Sequence, residues 1–302
     1  MRRRRVALAV LCGSLALAAL GPTGSGRVAS AVPSREDPIL GYADGARPDA
    51  PLAETALVPG LTPAAGLSLL DPPANPHPPV PVVRSAARSW PPVGPDGIAR
   101  TTGTADVALT FDDGPGANTP QILAALRTYG IKATFCVIGV YVMANPGLLQ
   151  AIVREGHTLC NHSWRHDLAL GTHSPAAIRE DLQRTNDEIH KVVPGVPVRY
   201  FRHPGGNFTP NAVSVARELG MISLGWAVDP WDWNLSAYPP GAAMIEHIVS
   251  VLIRTGPGAI VLSHDGGGDR SSTVTAYRIL LPYLRDRYPL IDLPVSVGPP
   301  SG

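Results

Sequence analysis

Charge is scarce in this chain. Only 16% of its 302 residues are charged and the net charge is +1, so no basic field is available to hold nucleic acid. No internal repeat runs through it, which excludes an architecture of stacked copies. The longest apolar stretch, Val6 to Leu20, is broken by Gly13 and is short for a membrane-spanning helix. Cysteine occurs three times. Cys12 lies in that apolar stretch, where Ala9-Val10-Leu11 makes a poor lipid-attachment motif, and it reads as an ordinary apolar residue.

What is present divides the chain. Arg2 to Arg5 followed by Val6-Ala7-Leu8-Ala9-Val10-Leu11 is a basic start and a short apolar core, the pattern of a secretory signal, with Ala29-Ser30-Ala31 as a cleavage site. We read 1–31 as a signal peptide or an uncleaved anchor, which makes the protein secreted or envelope-associated. Contact with a membrane arises only if the leader stays. The arginines alone do not make a twin-arginine signal, because the usual following pattern is absent. Residues 32–103 form a linker: fifteen of the 33 prolines fall between 31 and 100. A run such as Pro72-Pro73-Ala74-Asn75-Pro76-His77-Pro78-Pro79 removes backbone donors and favours extended chain over a packed core. It reads as a disordered spacer able to hold a following domain away from a membrane or wall.

From Ala105 onward the chain alternates. Apolar runs at Val107–Phe111, Ala133–Ile138, Thr158–Cys160, Val198–Phe201, Met221–Val228 and Ala259–Leu262 read as strands. Helical patterns lie near Pro120–Tyr129, Pro146–Glu155, Pro175–Val192, Pro210–Leu219 and Pro240–Arg254, several opening on proline, and Val274–Arg287 reads as a last helix. Such alternation implies a parallel sheet covered by helices, open or closed into a barrel. Leu293-Pro294-Val295-Ser296-Val297 is a candidate for a last, irregular strand.

Chemistry collects just past the strand ends. Thr110-Phe111-Asp112-Asp113-Gly114-Pro115 places two adjacent carboxylates where a strand meets a Gly-Pro turn. Neighbouring strand residues point to opposite faces, so both acids share a site only where strand geometry breaks. Two like charges this close repel unless a cation separates their roles. An acidic surface turn would read the same way. His162-Ser163-Trp164-Arg165-His166 follows another apolar run. Histidines four apart on a helix share one turn, so both imidazoles could face one ion, and two histidines with one aspartate leave a position for water.

These two motifs, with Arg202-His203-Pro204-Gly205-Gly206, Asp229-Pro230-Trp231-Asp232-Trp233 and Ile260-Val261-Leu262-Ser263-His264-Asp265, resemble in content and order the five motifs of the polysaccharide deacetylases, carbohydrate esterase family 4, with its NodB homology domain. The resemblance covers roughly residues 104 to 290. It implies an α/β fold, a distorted (β/α) barrel of about seven strands at 104–290, with 291–302 as a C-terminal tail. It further implies a metal triad of Asp113, His162 and His166. Asp112 matches the base that takes a proton from water made acidic by the cation. Arg202 matches the residue that pairs with and orients that base. His264 matches the acid that protonates the departing sugar nitrogen. Asp232 is our choice for the carboxylate holding His264, with Asp229 as runner-up. The Gly205 N–H is placed at the oxyanion, Leu262 against the acetyl methyl, and Trp233, with Trp231 beside it, against sugar faces or in the core.

The third motif departs from the family pattern. An aromatic usually stands where Gly205 stands, so a side-chain wall of the groove is missing, and His203 adds a titratable group without an assigned role. His157, His173, His190 and His247 lack motif support. Cys136 and Cys160, on strands the resemblance makes neighbours, either form a disulfide or pack as two small apolar residues. The activity implied is metal-dependent removal of acetyl groups from N-acetylated amino sugars of a cell-wall glycan, peptidoglycan first, or a chitin-like polymer, by a monomer. An O-acetyl esterase of xylan type, or a non-catalytic glycan-binding homologue, are the alternatives. Zn²⁺ suits the donor set, with Co²⁺ and Ni²⁺ as competitors.

Overall fold

A computed structural model describes residues 89–296. The leader, the linker up to residue 88 and the tail from residue 297 lie outside the described residues. The elements in order are β1 (Ile98–Ala99), β2 (Val107–Gly114), α1 (Thr119–Thr128), β3 (Thr134–Val137), α2 (Gly139–Ala144), α3 (Pro146–Arg154), β4 (Thr158–Asn161), α4 (Pro175–Val192), β5 (Tyr200–Phe201), α5 (Pro210–Glu218), β6 (Ile222–Leu224), α6 (Ala242–Leu252), β7 (Ile260–His264), α7 (Ser271–Arg287) and β8 (Leu290–Ile291).

All strand pairs are parallel, in the order β1-β6-β5-β4-β3-β2-β7, with β8 on the start of β2. The path closes on itself. Just past β6, Ala227 N–H donates to Ile260 O (2.9 Å) and Val228 O accepts from Leu262 N–H (2.9 Å), joining this segment to β7. The result is a barrel, distorted because β5 and β6 are only two and three residues long.

Side-chain alternation gives this barrel two environments. Leu109, Phe111, Phe135, Val137, Leu159, Phe201 and Val261 face outward into the core shared with the helices. Each fully buried side chain of this size contributes about 1.5–3 kcal/mol. The residues between them, Ala108, Cys136, Cys160, Tyr200, Leu224 and Ile260, fill the interior together with Leu293. Continuing that inward parity toward the C-terminal strand ends reaches Thr110, Asp112, His162, Arg202, Leu262 and His264. An apolar floor and a polar mouth therefore follow from one period-two pattern. Within the floor, Cys136 and Cys160 are register partners joined as a disulfide, with Cα atoms 4.1 Å apart.

The proline start signals have a visible cause. Ser174 and Thr209 cap α4 and α5 by accepting from Ala177 N–H and Ala212 N–H, each followed by proline at the first helical position. Two expectations are corrected. The last strand is Leu290–Ile291 rather than Leu293 onward. Leu293 N–H donates to Thr134 Oγ1 (3.0 Å) and its carbonyl accepts from Thr158 Oγ1 (2.8 Å), while Pro294 has no N–H to give a ladder. The strand expected over Met221–Val228 stops at Leu224, because Arg202 donates to the carbonyls of Leu224 and Gly225. The six-residue α2 has too little length to show a period. The described body also reaches past 104–290 on both sides, through β1 and Leu293.

Candidate active site

The two carboxylates share a site because β2 breaks between them. Its register with β3 runs Asp112 to Cys136 and then Gly114 to Val137, leaving Asp113 as an extra residue. Asp113 has φ 72°, so its side chain leaves the strand alternation. A glycine loop after β7 makes room for it. A Cβ on Gly266 would lie 2.0 Å from Asp113 O, and one on Gly267 would lie 2.3 Å from Asp113 Oδ2.

His162 and His166 do meet, but not on a helical turn as the spacing suggested. The segment is a loop with left-handed backbone at Ser163 (φ 68°) and His166 (φ 60°). Side chains take the N–H groups that a helix would use. Ser163 N–H donates to Asn161 Oδ1 (2.8 Å), Trp164 N–H to Asp181 Oδ1 (2.8 Å) and His166 N–H to Ser163 Oγ (3.0 Å). His162 Nδ1–H donates to Arg202 O (2.8 Å), which fixes the tautomer and leaves Nε2 with its lone pair.

Asp113, His162 and His166 bring one ligand atom each within 4.8 Å of one another. Asp113 Oδ1 is buried without a hydrogen-bond partner, yet stands 3.3 Å from His162 Nε2 and 3.2 Å from His166 Nε2. Acceptors gathered around an unpartnered acceptor are the arrangement a cation completes, and mixed N/O donors suit a first-row divalent ion. Burial works against an ionised Asp113, but His162, His264 and His166 outweigh it and hold the carboxyl below the usual range. Burial lowers the pKa of His166; it acts the same way on His162, but there Asp112 and Asp113 outweigh it and raise the pKa, so a cation taken up here displaces a proton.

Arg202, on the strand end after β5, is fully buried. Its Nη1 donates to Asp112 Oδ1 (2.7 Å) and Thr110 Oγ1 (2.8 Å), its Nε to Leu224 O (3.1 Å) and its Nη2 to Gly225 O (3.1 Å). This planar fork fixes one oxygen of Asp112. The other, Oδ2, faces the donor cluster, 3.7 Å from His162 Nε2.

His264 is the register partner of Asp112 on β7. Its Nδ1–H donates to Asp232 Oδ1 at 2.7 Å. Asp232 Oδ2 accepts from His264 N–H and from Thr273 Oγ1, both at 2.9 Å, and Arg270 Nη1 donates to Asp232 O (2.9 Å). Asp229 is not this partner. It accepts from Trp231 N–H (2.8 Å) and Trp233 Nε1 (3.5 Å). Burial alone would lower the His264 pKa, but Asp232, with Asp113 and Asp112 behind it, pushes it up to about 9. Nearby Asp265 is driven the other way by its surroundings. Burial first, then the charges of Asp113 and Asp112, raise its carboxyl to about 7 against the Thr119 hydrogen bond.

Leu262 lies on the inward face two residues before His264 and is 3% exposed. Gly205 sits in a tight turn with φ 63°. The space a side chain there would fill is taken by Leu168, whose Cδ2 lies 2.9 Å from the built Cβ position. Trp231 and Trp233 are 47% and 46% exposed, so neither is core. His203 is buried between the Phe201 and Phe208 rings, gives Nδ1–H to Pro204 O (2.8 Å), and is kept neutral by burial.

Sequence reasoning passed over the supports: Thr110, Thr273, Arg270 and the face of α4 under the histidine loop. On that face Asp181 holds Trp164 N–H, while Asn161 Nδ2 donates to Leu182 O and Asn186 Oδ1 (2.8 Å each). Only the position of Asn161 beside His162 offered a signal. Asp181→Ala removes an acceptor between the two histidines and is expected to weaken metal affinity about 10–100-fold. Asp181→Asn keeps an acceptor oxygen and most of the affinity. Competition with a chelator measures both, and equal loss in the two variants would contradict this role.

Comparison with known proteins gives the arrangement its place. A family model for polysaccharide deacetylase matches residues 99–223. Over 198 residues the chain is 37% identical to a chitooligosaccharide deacetylase of Bradyrhizobium sp., covering 62% of this chain and 87% of that protein. The chain belongs to the polysaccharide deacetylase family. As a polysaccharide deacetylase it is a hydrolase, and members of this family depend on a divalent metal. It is also 37% identical over 182 residues to a peptidoglycan-N-acetylglucosamine deacetylase of Bacillus cereus, covering 59% of this chain and 81% of that protein. A solved neighbour is a family pseudoenzyme from Bacillus anthracis, with TM-score 0.56 and 29% identity over 65% of this chain and 67% of that one. The fold can therefore stand without activity, which puts the weight on this chain's own side chains.

Proposed function

We propose that this polysaccharide deacetylase removes the N-acetyl group from amino sugars of a cell-wall glycan, peptidoglycan before a chitin-like polymer, as an exported monomer using Zn²⁺. One observation carries the catalytic reading. Beside a cation-shaped donor cluster stand two proton-transfer groups with separate partners, Asp112 on Arg202 and His264 on Asp232.

Asp113, His162 and His166 would hold the cation, which supplies Lewis acidity toward water and the acetyl carbonyl. Asp112 takes the proton of the attacking water through Oδ2, while Arg202 keeps Oδ1 engaged and so prevents rotation of the carboxylate. The water oxygen bonds to the carbonyl carbon. The Gly205 N–H, in the middle of the Pro204–Gly206 turn and outside the turn's own hydrogen bonds, donates to the developing oxyanion. The C–N bond then breaks as His264 Nε2–H gives its proton to the sugar nitrogen, leaving acetate and a free amine. Asp232 holds the imidazolium through Nδ1–H. Leu262 lies below His264 against the acetyl methyl, and Trp233 faces the sugar.

Export rests on the leader and on the Cys136–Cys160 bond, which suits an oxidising compartment. Peptidoglycan rests on the proline-rich spacer, suited to reaching a wall. No described helix is long and apolar enough to cross a membrane. Acetate release from N-acetylglucosamine oligomers, peptidoglycan and acetylated xylan, assayed side by side, tests the reading. The amino-sugar substrates are expected to lead. Release from xylan alone would replace this reading with an O-acetyl esterase, and release from none would leave a binding homologue.

A further inference from the structure

A second arginine is buried beside the site, and no step of the proposed reaction uses it. Arg270, just before α7, is 4% exposed, and a buried cation is costly unless its donors are met. Here the guanidinium bonds go to main-chain carbonyls. Nε donates to Gly266 O (2.7 Å), Nη2 to Gly267 O (3.1 Å) and Nη1 to Asp232 O (2.9 Å). The Arg270 N–H donates to Asn118 Oδ1 (2.9 Å), at the start of α1. One planar group therefore spans two loops, the one after β7 and the one after β6.

Those loops carry different halves of the chemistry. The loop after β7 packs on the two carboxylates. Asp265 N–H and Gly266 N–H donate to Asp112 O (3.0 and 3.3 Å), and a Cβ on Gly267 would meet Asp113 Oδ2 at 2.3 Å. Gly267 (φ 70°) and Gly268 (φ 139°) both have positive φ, so this turn has no side chains of its own to keep its shape. Arg270 closes on two of its carbonyls and supplies that hold. The loop after β6 carries Asp232, whose carboxylate accepts His264 Nδ1–H and Thr273 Oγ1–H. Thr273 thus steadies the carboxylate, while Arg270 steadies the main chain that bears it. We propose that Arg270 is a positioning residue that locks Asp113 and the Asp232–His264 pair into one frame, setting the cation and the acid at a fixed separation. A lysine cannot replace it, because an ammonium is a point charge and not a fork that reaches three carbonyls.

The proposal rests on the catalytic reading above, but its test needs no substrate. Two quantities are read on the full chain. One is Zn²⁺ affinity, by competition with a chelator. The other is the proton resonance of His264 Nδ1–H, carried downfield by its 2.7 Å bond to Asp232. Arg270→Lys is expected to lose roughly tenfold in Zn²⁺ affinity and to broaden the His264 signal through faster exchange with water. Thr273→Val loosens the Asp232 carboxylate alone, so it broadens the His264 signal and leaves Zn²⁺ affinity unchanged. Asn118→Ala frees the Arg270 main chain. It moves both readouts in the direction of Arg270→Lys, by less, and carries the test if the lysine variant does not fold. Wild-type values of both readouts in Arg270→Lys would reduce the guanidinium to a charge and overturn the proposal. So would movement of one readout without the other in the Arg270 and Asn118 variants, which would make Arg270 a support for a single loop. A wild-type chain that releases no acetate from N-acetylglucosamine oligomers sinks the amino-sugar reading and leaves these readouts standing, so the two can fail independently.

Discussion

Asp112→Asn is expected to keep its metal and lose about 10²–10⁴-fold in kcat, whereas Asp113→Asn loses the metal itself. The two residues are neighbours in sequence and differ in what they face. Asp112 Oδ1 accepts from Arg202 Nη1 at 2.7 Å. An asparagine can present its amide oxygen to the same donor, so the buried guanidinium keeps an acceptor. What the amide cannot do is take a proton from water. Asp113 Oδ1 is the unpartnered atom closest to both imidazoles, and its neutral amide withdraws the only charge among the three ligands. Elemental analysis beside acetate release separates the cases. Equal metal loss in both variants would show that this division of roles is wrong.

His264→Ala is expected to lower amide hydrolysis by about 10²–10⁴-fold and the hydrolysis of an activated aryl acetate far less. An amine leaves only when protonated, while a phenolate leaves unaided. The same group sets the alkaline limb of the pH profile. A general acid must carry its proton, and Asp232 pushes the His264 pKa up to about 9. The active form is therefore present at neutral pH and is lost as pH rises through the folded pKa. Asp232→Asn removes the charge responsible and leaves burial to act in the opposite direction. Its alkaline limb should move to lower pH. An unchanged limb would mean that another group controls it, and equal losses on amide and aryl acetate would mean that His264 shapes the site without donating a proton.

Much of this was legible in the chain because period two is unforgiving. Once Val107–Phe111 is a buried strand, Asp112 falls on the inward face, and Leu262 and His264 fall together on theirs. Two adjacent acids before Gly-Pro demanded a break in the strand, and the break is there, at Asp113 itself. The five motifs in order supplied the barrel, which periodicity could not tell from an open sheet. What stayed hidden depends on partners distant in sequence. The segment His162–His166 looked helical from its spacing but is a loop, because its N–H groups are claimed by Asp181 of α4 and by local side chains. Asp229 and Asp232 stand in one motif, and geometry alone separates them: one holds a histidine and the other two tryptophans. The final strand was misplaced because Leu293 is held by threonine side chains from β3 and β4, contacts with no signature in the chain itself.

The account stands on a cation held by Asp113, His162 and His166, and metal content measured against acetate release tests that most directly. Stripping with a chelator should abolish release from N-acetylglucosamine oligomers, and Zn²⁺ or Co²⁺ should restore it in proportion to the metal bound. Full activity in protein shown by elemental analysis to be metal-free would contradict it.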